Sequence, residues 1–540
     1  MTEYSLPGRE TIGSFAATCL AENGVDTVFG IPGTHNIEIY RGLQRRNIRH
    51  ILTRHEQGAT YAADGYARAS GQPGVVIATS GPGITNCITG IANAYADSVP
   101  LLVLSPGPRR GEERRNLGFL HEAKDQRSGI DCFAEESIRA ESQRSLEEAI
   151  HGAFLRFRTG RPRPIHIEIP TDLLEEESAG APEAAWNAGI PSPDSAAITA
   201  VAAAIRTAER PLILVGGGSA NYGDILSSLV DLTGIPVVTT VQGKGTVSER
   251  HPRSVGALAG GSSGFQSLQR ADFVLAFGTE LKNAGLGADV RVARFDIDAG
   301  QLHKNHRSDF PVLGDVGLSA AALLAELANS PPTMSATWLR EVLRDGKSTR
   351  AGAQEVWAVL HDAVTNAARG TSEKPVILTG DSSQISWLGT VQSAVLERPR
   401  SFLTTDGYAT LGYGLPAAIG AKLARPEASV VSLLGDGALM FSVQELVTAA
   451  EQRLALPIVV FDNGGYAEIE QNMRDAGVAP FAVALTPPKY AALATALNCR
   501  FSATETPAGL EKAVREALTA DRPTLIRIAA EDFNAPVWRH

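Results

Sequence analysis

The stretch "LLGDGALMFSVQELVTAAEQRLALPIVVFDNGGYAEI", Leu433–Ile469, decides the fold. An acid between two glycines closes one apolar run, Asp-Asn-Gly-Gly closes the next, and a helical pattern lies between them. Strand, turn, helix and strand in that order make a βαβ unit, whose two strands run parallel. An oxygen-bearing residue at each strand end suits a hard divalent cation carrying phosphates, because such an ion takes a few oxygens from protein and the rest from water and phosphate. Ser442 followed by Glu445 fits a capping box at the start of the helix.

Outward from this stretch the same alternation recurs along the chain. Residues 1–175 carry the apolar runs "DTVFGIPG", "GVVIATSGPG", "PLLVLSPG" and "PIHIEIP" between helical stretches. A pattern-poor linker, "EEESAGAPEAAWNAGIPSPDSAA", leads to a second unit over 196–330, with "RPLILVGGG", "IPVVTTV", "ADFVLAFG" and "ARFDID". "NSPPTMSATW" reads as a second break before a third unit over 355–540. Three consecutive α/β domains with mainly parallel sheets are expected. The first and third units share a local plan of strand, glycine-flanked turn, helix and proline-started strand, so the chain reads as internally duplicated.

Composition narrows the function classes. Apolar residues make up 44% and charged residues 20%, ordinary for a globular enzyme, and no apolar run approaches the roughly 20 residues that span a bilayer. A net charge of -10 without a basic block argues against nucleic acid as a partner. The N-terminus has neither the basic region nor the apolar core of a signal peptide, which makes the cytoplasm the expected compartment. Cys19, Cys87, Cys132 and Cys499 are too scattered for a metal-ligand pair or a disulfide frame.

Gly435-Asp436-Gly437, the helix after it and Asp462-Asn463 together resemble the motif of thiamine diphosphate-dependent enzymes, with Asp462 standing where the family has a first Asn. The resemblance implies that Asp436, the Asn463 side-chain oxygen and the Gly465 carbonyl hold Mg²⁺. It also implies that Gly435, Gly437, Ala438 and Tyr466 line the diphosphate, with Ser382 and Ser383 of "LTGDSSQISW" as further donors. A second motif, "RHEQGATYAADGYARASG", is similar to the family segment whose glutamate, here Glu56, bonds the aminopyrimidine ring. Such a carboxyl has to be held in an apolar setting to exchange a proton with a weak ring base. Pro32-Gly33, Gly81-Pro82-Gly83 with Asn86, and Ala94-Tyr95-Ala96-Asp97 continue the pattern. In "DGYATLGYGLPAAIGAKLA", Leu411 falls where the family supports the thiazolium, and the Ala409 carbonyl where it meets the exocyclic amine.

The resemblance runs along nearly the whole chain and is nearest to acetohydroxyacid synthase and its relatives, in particular the 5-guanidino-2-oxopentanoate decarboxylase branch. It implies decarboxylation of a 2-oxo acid through an enamine that is protonated to an aldehyde. The alternatives are addition to a second carbonyl, as in acetolactate synthesis, or acyloin cleavage; a non-catalytic homologue is a further class. The acidic residue and paired histidines of pyruvate decarboxylase are missing, which leaves His35 and His121 as candidate proton donors. FAD is the one further cofactor the resemblance admits. The central unit has Gly216-Gly217-Gly218, Asp296 and Asp298, but the Arg-Phe-Asp-Asp run of the FAD enzymes is absent, which argues against it. Glu468 and Gln471, on neighbouring positions of one helix face, and Glu122 and Asp125, in the loop of His121, are candidates to receive a cationic substrate tail. In this superfamily the pyrimidine and diphosphate units meet across a subunit interface, so a homodimer or homotetramer is expected.

Overall fold

The computed structural model describes residues 10–258, 262–348, 355–370 and 374–533. The outer ends of the domain bounds above, 1–9 and 534–540, lie outside the described residues. The chain divides into two compact units at Gly189 and Ile190.

The first unit holds one sheet of β1 (Thr27–Gly30), β2 (Arg49–Leu52), β3 (Gly74–Ile77), β4 (Leu101–Gly107), β5 (Glu136–Arg139) and β6 (Ile165–Pro170), in the order β2-β1-β3-β4-β6-β5. The second unit holds two sheets. One has β7 (Pro211–Val215), β8 (Val237–Thr239), β9 (Ser254–Ala257), β10 (Phe273–Phe277), β11 (Arg291–Asp296) and β12 (Phe310–Leu313), in the order β12-β11-β10-β7-β8-β9. The other has β13 (Val376–Gly380), β14 (Phe402–Leu403), β15 (Ser429–Gly435), β16 (Pro457–Asp462), β17 (Arg500–Ala503) and β18 (Thr524–Ala529), in the order β14-β13-β15-β16-β18-β17. Every described strand pairing is parallel. Helices cover both faces of such sheets, which is why β16 is buried along its whole length and β15 everywhere but its last glycine.

Counted from its own first strand, the outer sheet of each unit has one and the same order, 2-1-3-4-6-5, so the duplication read from the sequence is present in the topology. The middle sheet runs 3-2-1-4-5-6 instead, the doubly wound order of dinucleotide-binding folds. In open parallel sheets the loops beyond the carboxyl ends of the strands, where the order reverses, collect ligand-binding residues. Gly30, Leu52 and Ile77 end three adjacent strands in the first sheet; Gly380, Leu403, Gly435 and Asp462 end four in the third. Most sequence motifs begin within a few residues of one of these ends, while Ala94-Tyr95-Ala96-Asp97 closes the helix Pro82–Asp97.

The structure corrects two local readings. The helix expected from the Ser442 capping box begins at Glu445, with Gln444 at its cap and no side-chain capping bond. Ser442 Oγ is buried without a hydrogen-bond partner, since the Glu445 N–H donates to the Ser442 carbonyl at 2.9 Å, and the Glu445 carboxylate turns inward to accept from Thr448 Oγ1 at 2.6 Å. The supposed break at "NSPPTMSATW" also contains a helix start: Ala336–Ser348 is helical, and Trp338 joins the core of the middle sheet, its indole N–H donating to the Pro211 carbonyl at 3.1 Å. Among the described residues no helix is long and apolar enough to cross a membrane.

The segment after β8 packs onto the segment that leads to β14 through a buried ion pair. Lys244 Nζ donates to Glu249 Oε1 at 2.6 Å and to the Val391 carbonyl at 3.2 Å, while Glu249 Oε2 accepts from the Leu396 N–H at 2.7 Å. The two side chains are only 2% and 1% exposed, so removing one partner strands the other charge away from water. Lys244→Met alone is expected to cost about 3–5 kcal/mol in urea unfolding, with much of that recovered when Glu249→Leu is added.

Candidate functional site

In the first unit, Glu56 opens the helix Glu56–Ser70, which His55 caps by accepting the Gln57 N–H at its Nδ1. The Glu56 residue is 8% exposed, and Asn86 Nδ2 donates to its Oε2 at 2.9 Å. Gly83 and Gly33 both lean on Thr79: a Cβ at either would come within 2.7 Å of the threonine side chain, and one at Gly83 would also stand 3.5 Å from Glu56 Oε1. Pro32 is exposed beside Gly33, whose N–H donates to Asn36 Oδ1 at 2.8 Å. The loops after β1, β2 and β3 thus bring together the carboxyl, its amide partner and a glycine-lined turn.

His35 and His121 also come together, around a residue that the motif reading passed over. Ser80 Oγ lies 2.6 Å from His35 Nδ1 and 3.3 Å from His121 Nδ1, and the two rings meet edge to face with centroids 5.2 Å apart. Burial and then His121 hold the His35 imidazolium below its usual pKa, with Glu175 acting the other way. Gly81, at φ 59°, leaves room for His121: a Cβ there would stand 2.7 Å from the histidine's Cβ and carbonyl oxygen.

Two expected tail partners are already engaged. Glu122 accepts from the N–H groups of Leu117, Gly118 and Phe119, which holds its carboxyl below the usual range and makes it the organiser of its own loop. Asp125 caps the helix Gln126–Asp131 and pairs with Arg114. Both carboxylates thus have partners within their own loop and helix, and the signal missed was the run of loop amides that a short acidic turn collects.

In the second unit, Asp436 follows β15 directly and Asn463 follows β16. Asn463 Nδ2 donates to Gln384 Oε1 at 3.1 Å, which turns its Oδ1 inward, 3.1 Å from Asp436 Oδ1 and 2.8 Å from the Gly465 carbonyl oxygen. In this orientation Oδ1 also accepts the Gly465 N–H at 3.3 Å. An amide turned the other way would bond both oxygens but would set its own oxygen against Gln384 Oε1. Burial, with Asp462 adding to it, pushes the Asp436 carboxyl up to about 6, and its Oδ2 is buried without a hydrogen-bond partner. A carboxylate, an amide oxygen and a carbonyl fit a hard ion such as Mg²⁺. No cluster of His, Cys, Asp and Glu that would suit a softer metal exists among the described residues. Asp462, the departure from the family motif, is taken up by Arg527 Nε at 2.7 Å.

The surrounding residues meet the same strand ends. Gly435 N–H donates to Ser383 Oγ at 3.1 Å, and Ser383 Oγ donates to Asp381 Oδ1 at 2.5 Å. Ser382 Oγ is buried without a partner. Gly437 sits against Tyr466, whose ring a Cβ would approach to 2.8 Å, and Ala438 is buried beside it. Ala409 is exposed in a left-handed conformation, φ 56°, two residues before the half-buried Leu411. Gly412, at φ 82°, donates its N–H to Asp381 Oδ2 at 3.1 Å. Asp381 and Gln384 were not singled out from sequence, although both stand in the strand-end run that holds Ser382 and Ser383. Glu468, in the first turn of the helix Ala467–Asp475, is exposed and makes no ion pair among the described residues, whereas Gln471 donates to Asp475.

The middle sheet does not fit a nucleotide at its glycines. The N–H groups of Gly216 and Gly218 already donate to the carbonyls of Phe277 and Gly278, and a Cβ at Gly216 would stand 2.2 Å from the Gly278 oxygen. Those glycines permit backbone to pack on backbone. Asp298 caps the turn Ala299–Gln301, Asp296 Oδ1 accepts from the Asp298 N–H, and Glu280 pairs with Lys304.

Three family descriptions match along the chain: the N-terminal thiamine pyrophosphate-binding domain of thiamine pyrophosphate enzymes over residues 10–128, their central domain over 198–323, and their C-terminal binding domain over 375–528. A probable 2-ketoarginine decarboxylase of Pseudomonas aeruginosa is 37% identical over 96% of this chain and 94% of its own length. A probable acetolactate synthase large subunit of Methanococcus aeolicus is 31% identical over 95% of this chain and 90% of its own. The acetolactate synthase isozyme 1 large subunit of Escherichia coli is 32% identical over 86% and 83%.

Asp381 sets a pH dependence of its own. Full burial pushes its carboxyl up to about 7, against the bonds it accepts from Ser383 and Gly412. The folded chain therefore keeps a proton that the unfolded chain releases near pH 4, so the stability from this group is full below about pH 4 and is lost as pH rises to about 7. Urea unfolding without cofactor at pH 5 and pH 8 is expected to show this loss in the wild type, on the order of a few kcal/mol, and a flatter profile in Asp381→Asn.

Proposed function

The chain belongs to the thiamine pyrophosphate enzyme family, and on that premise we propose that it uses thiamine diphosphate and Mg²⁺ to decarboxylate a 2-oxo acid and release the aldehyde. The observation that carries this reading is the convergence of Asp436 Oδ1, the Asn463 side-chain amide and the Gly465 carbonyl at the ends of β15 and β16. These three would hold the metal. Gly435, Gly437, Ala438, Ser382, Ser383 and Tyr466 would receive the diphosphate. Ala409 and Leu411 would position the rings. Bound thiamine diphosphate supplies a carbon nucleophile for the 2-carbonyl and a sink for the electrons that CO₂ leaves behind.

The chain's own residues do the rest. Glu56, oriented by the Asn86 amide, holds and exchanges a proton at the pyrimidine ring, with Pro32 and Gly33 beside it. His35 and His121 serve the proton that the product carbon takes up. The proposed domains are the pyrimidine-binding unit 1–175, the central unit 196–330 and the diphosphate-binding unit 355–540. By family analogy, Glu56 of one chain serves the cofactor held by Asp436 of another, in a cytoplasmic homodimer or homotetramer. The exposed apolar side chains of Met440, Phe441, Ile469 and Phe481 are what such an association would cover.

For the substrate, we favour a 2-oxo acid with a cationic tail. The support is the 2-ketoarginine decarboxylase at 37% identity, together with Glu468, which is left exposed while Glu122 and Asp125 are committed to their own loop and helix. The second reading, ligation to another carbonyl as in acetolactate synthesis, draws on the relatives of that name. Acyloin cleavage would use the same residues in reverse.

Two variants separate binding from chemistry. Asp436→Ala should weaken cofactor retention in calorimetry by more than about a hundredfold, since even the residue behind a metal ligand is typically worth 10–100-fold. Glu56→Gln should keep the cofactor and lose about 10²–10⁴ in CO₂ release. Unchanged affinity in the first, or unchanged turnover in the second, would remove that residue from its role.

Substrate choice is tested by kcat/KM for 5-guanidino-2-oxopentanoate and an uncharged isostere. Glu468→Gln is expected to cost the charged acid about 10–100-fold, the worth of a hydrogen bond to a charged group, and to leave the isostere unchanged. A wild type without preference for the charge favours the small-acid carboligase.

A further inference from the structure

We infer that Ser80 is the bridging group of a proton relay, His121–Ser80–His35, that feeds the carbon from which CO₂ has left; the inference rests on the decarboxylase reading above. Ser80 is 4% exposed, and its hydroxyl is shared by two imidazoles through the same ring atom, Nδ1. A hydroxyl carries one proton and accepts through its lone pairs. It can therefore donate to only one Nδ1, and the other Nδ1 must carry a proton and donate to it. The 2.6 Å contact to His35 suits O–H donating to N, and the 3.3 Å contact suits N–H of His121 donating to O. This fixes opposite tautomers. His35 then carries its proton on Nε2 and can give it away. His121 carries its proton on Nδ1 and presents a basic Nε2.

The transfer balances without any other reactant than water. His35 Nε2–H gives its proton to the product carbon, and its Nδ1 takes the Ser80 hydroxyl proton. Ser80 Oγ takes the proton from His121 Nδ1, and His121 Nε2 takes one from solvent. The net change is one proton from water to carbon, with both rings neutral and their tautomers exchanged; reversal of that exchange by solvent at the two Nε2 atoms resets the relay.

The placement suits this direction. His35 sits on the turn Thr34–Asn36, next to Gly33, which leans on Thr79; Gly83, packed on the same threonine, adjoins Glu56. His121 sits in the loop after β4, between the exposed Leu120 and the half-buried Glu122. The charged group that acts on His35 from the neighbouring helix, Thr171–Glu175, is Glu175; the ionised Glu122 in the His121 loop is held by three backbone N–H groups. Gln126 holds the turn beneath by accepting the Gly81 N–H at 2.9 Å, and in turn donates to Glu168.

The test reads tautomers and products separately. In long-range ¹H–¹⁵N spectra of histidine-labelled protein, His35 is expected as the Nε2–H form and His121 as the Nδ1–H form. Ser80→Ala should release His121 from the Nδ1–H form. In the same variant, first-turnover CO₂ release should stay within about twofold while aldehyde release falls at least about tenfold, and Ser80→Thr, which keeps the hydroxyl, should restore it. Should Ser80→Ala fail to fold, His121→Asn, which tolerates the left-handed backbone at that position, is expected to give the same split between CO₂ and aldehyde. Like tautomers in the wild type overturn the relay, as does aldehyde release unchanged in Ser80→Ala, or equal loss of CO₂ and aldehyde in His121→Asn. A wild type that releases no CO₂ from any 2-oxo acid overturns the decarboxylase reading instead, and the tautomers still decide whether the relay exists.

Discussion

The side-chain amide of Asn463 stands 3.1 Å from Asp436 Oδ1 and 2.8 Å from the Gly465 carbonyl oxygen, and the end of the third sheet is built to keep these three groups together. Two belong to residues fixed by adjacent parallel strands, β15 and β16, whose pairing runs to Gly435 and Phe461. The third, the Gly465 carbonyl, is pinned from outside: Tyr466 N–H donates to the Val483 carbonyl and Leu485 N–H to the Gly464 carbonyl, at 2.9 Å each. The amide of Asn463 is turned by Gln384, which precedes a π-helical turn, Ile385–Val391, a local geometry found often at functional sites. Each constraint comes from a different segment, so the convergence costs backbone order in four places. An arrangement that gained nothing from it would relax.

The parts of this design that are local were legible in the sequence. Apolar runs of strand length closed by glycines give parallel strands, and the spacing of Asp436 and Asn463 across one helix puts both at neighbouring strand ends. The parts that depend on which loop meets which were not. Ser80 matters because it lies between residues 45 positions before it and 41 after it, a relation no window along the chain contains. Asp381 reaches Gly412 and Gln384 reaches Asn463 in the same way. Short-range rules failed where a buried partner outbid them: Glu445 fits a capping box by spacing, but Thr448 takes its carboxylate inside.

The glycines show the same division. Gly216-Gly217-Gly218 after β7 has the composition of a phosphate loop, yet its Gly216 and Gly218 amides are spent on Phe277 and Gly278. Gly435-Asp436-Gly437 after β15 is poorer in glycine, but Asp436 Oδ2 beside it and Ser382 Oγ across from it keep buried, unfilled hydrogen-bonding capacity. What separates a binding turn from a packing turn is whether its polar groups are already satisfied by the fold, and composition does not report that.

The repeated strand order sharpens the point. The first and third sheets share one topology, and equivalent strands, β3 and β15, lead into "TSGPG" and "GDGAL". The third sheet puts an acid there and gathers further oxygens around it. The first sheet puts hydroxyls and a left-handed glycine there, and brings its acid, Glu56, from the end of β2 against the Asn86 amide and the Gly83 turn. A cofactor with a diphosphate at one end and a neutral aromatic ring at the other asks for this difference. Its charged end needs a cation and many donors, while its ring needs one carboxyl kept from water. On the proposed reading, a single strand plan was kept twice, and the chemistry was divided by exchanging a few residues at its strand ends.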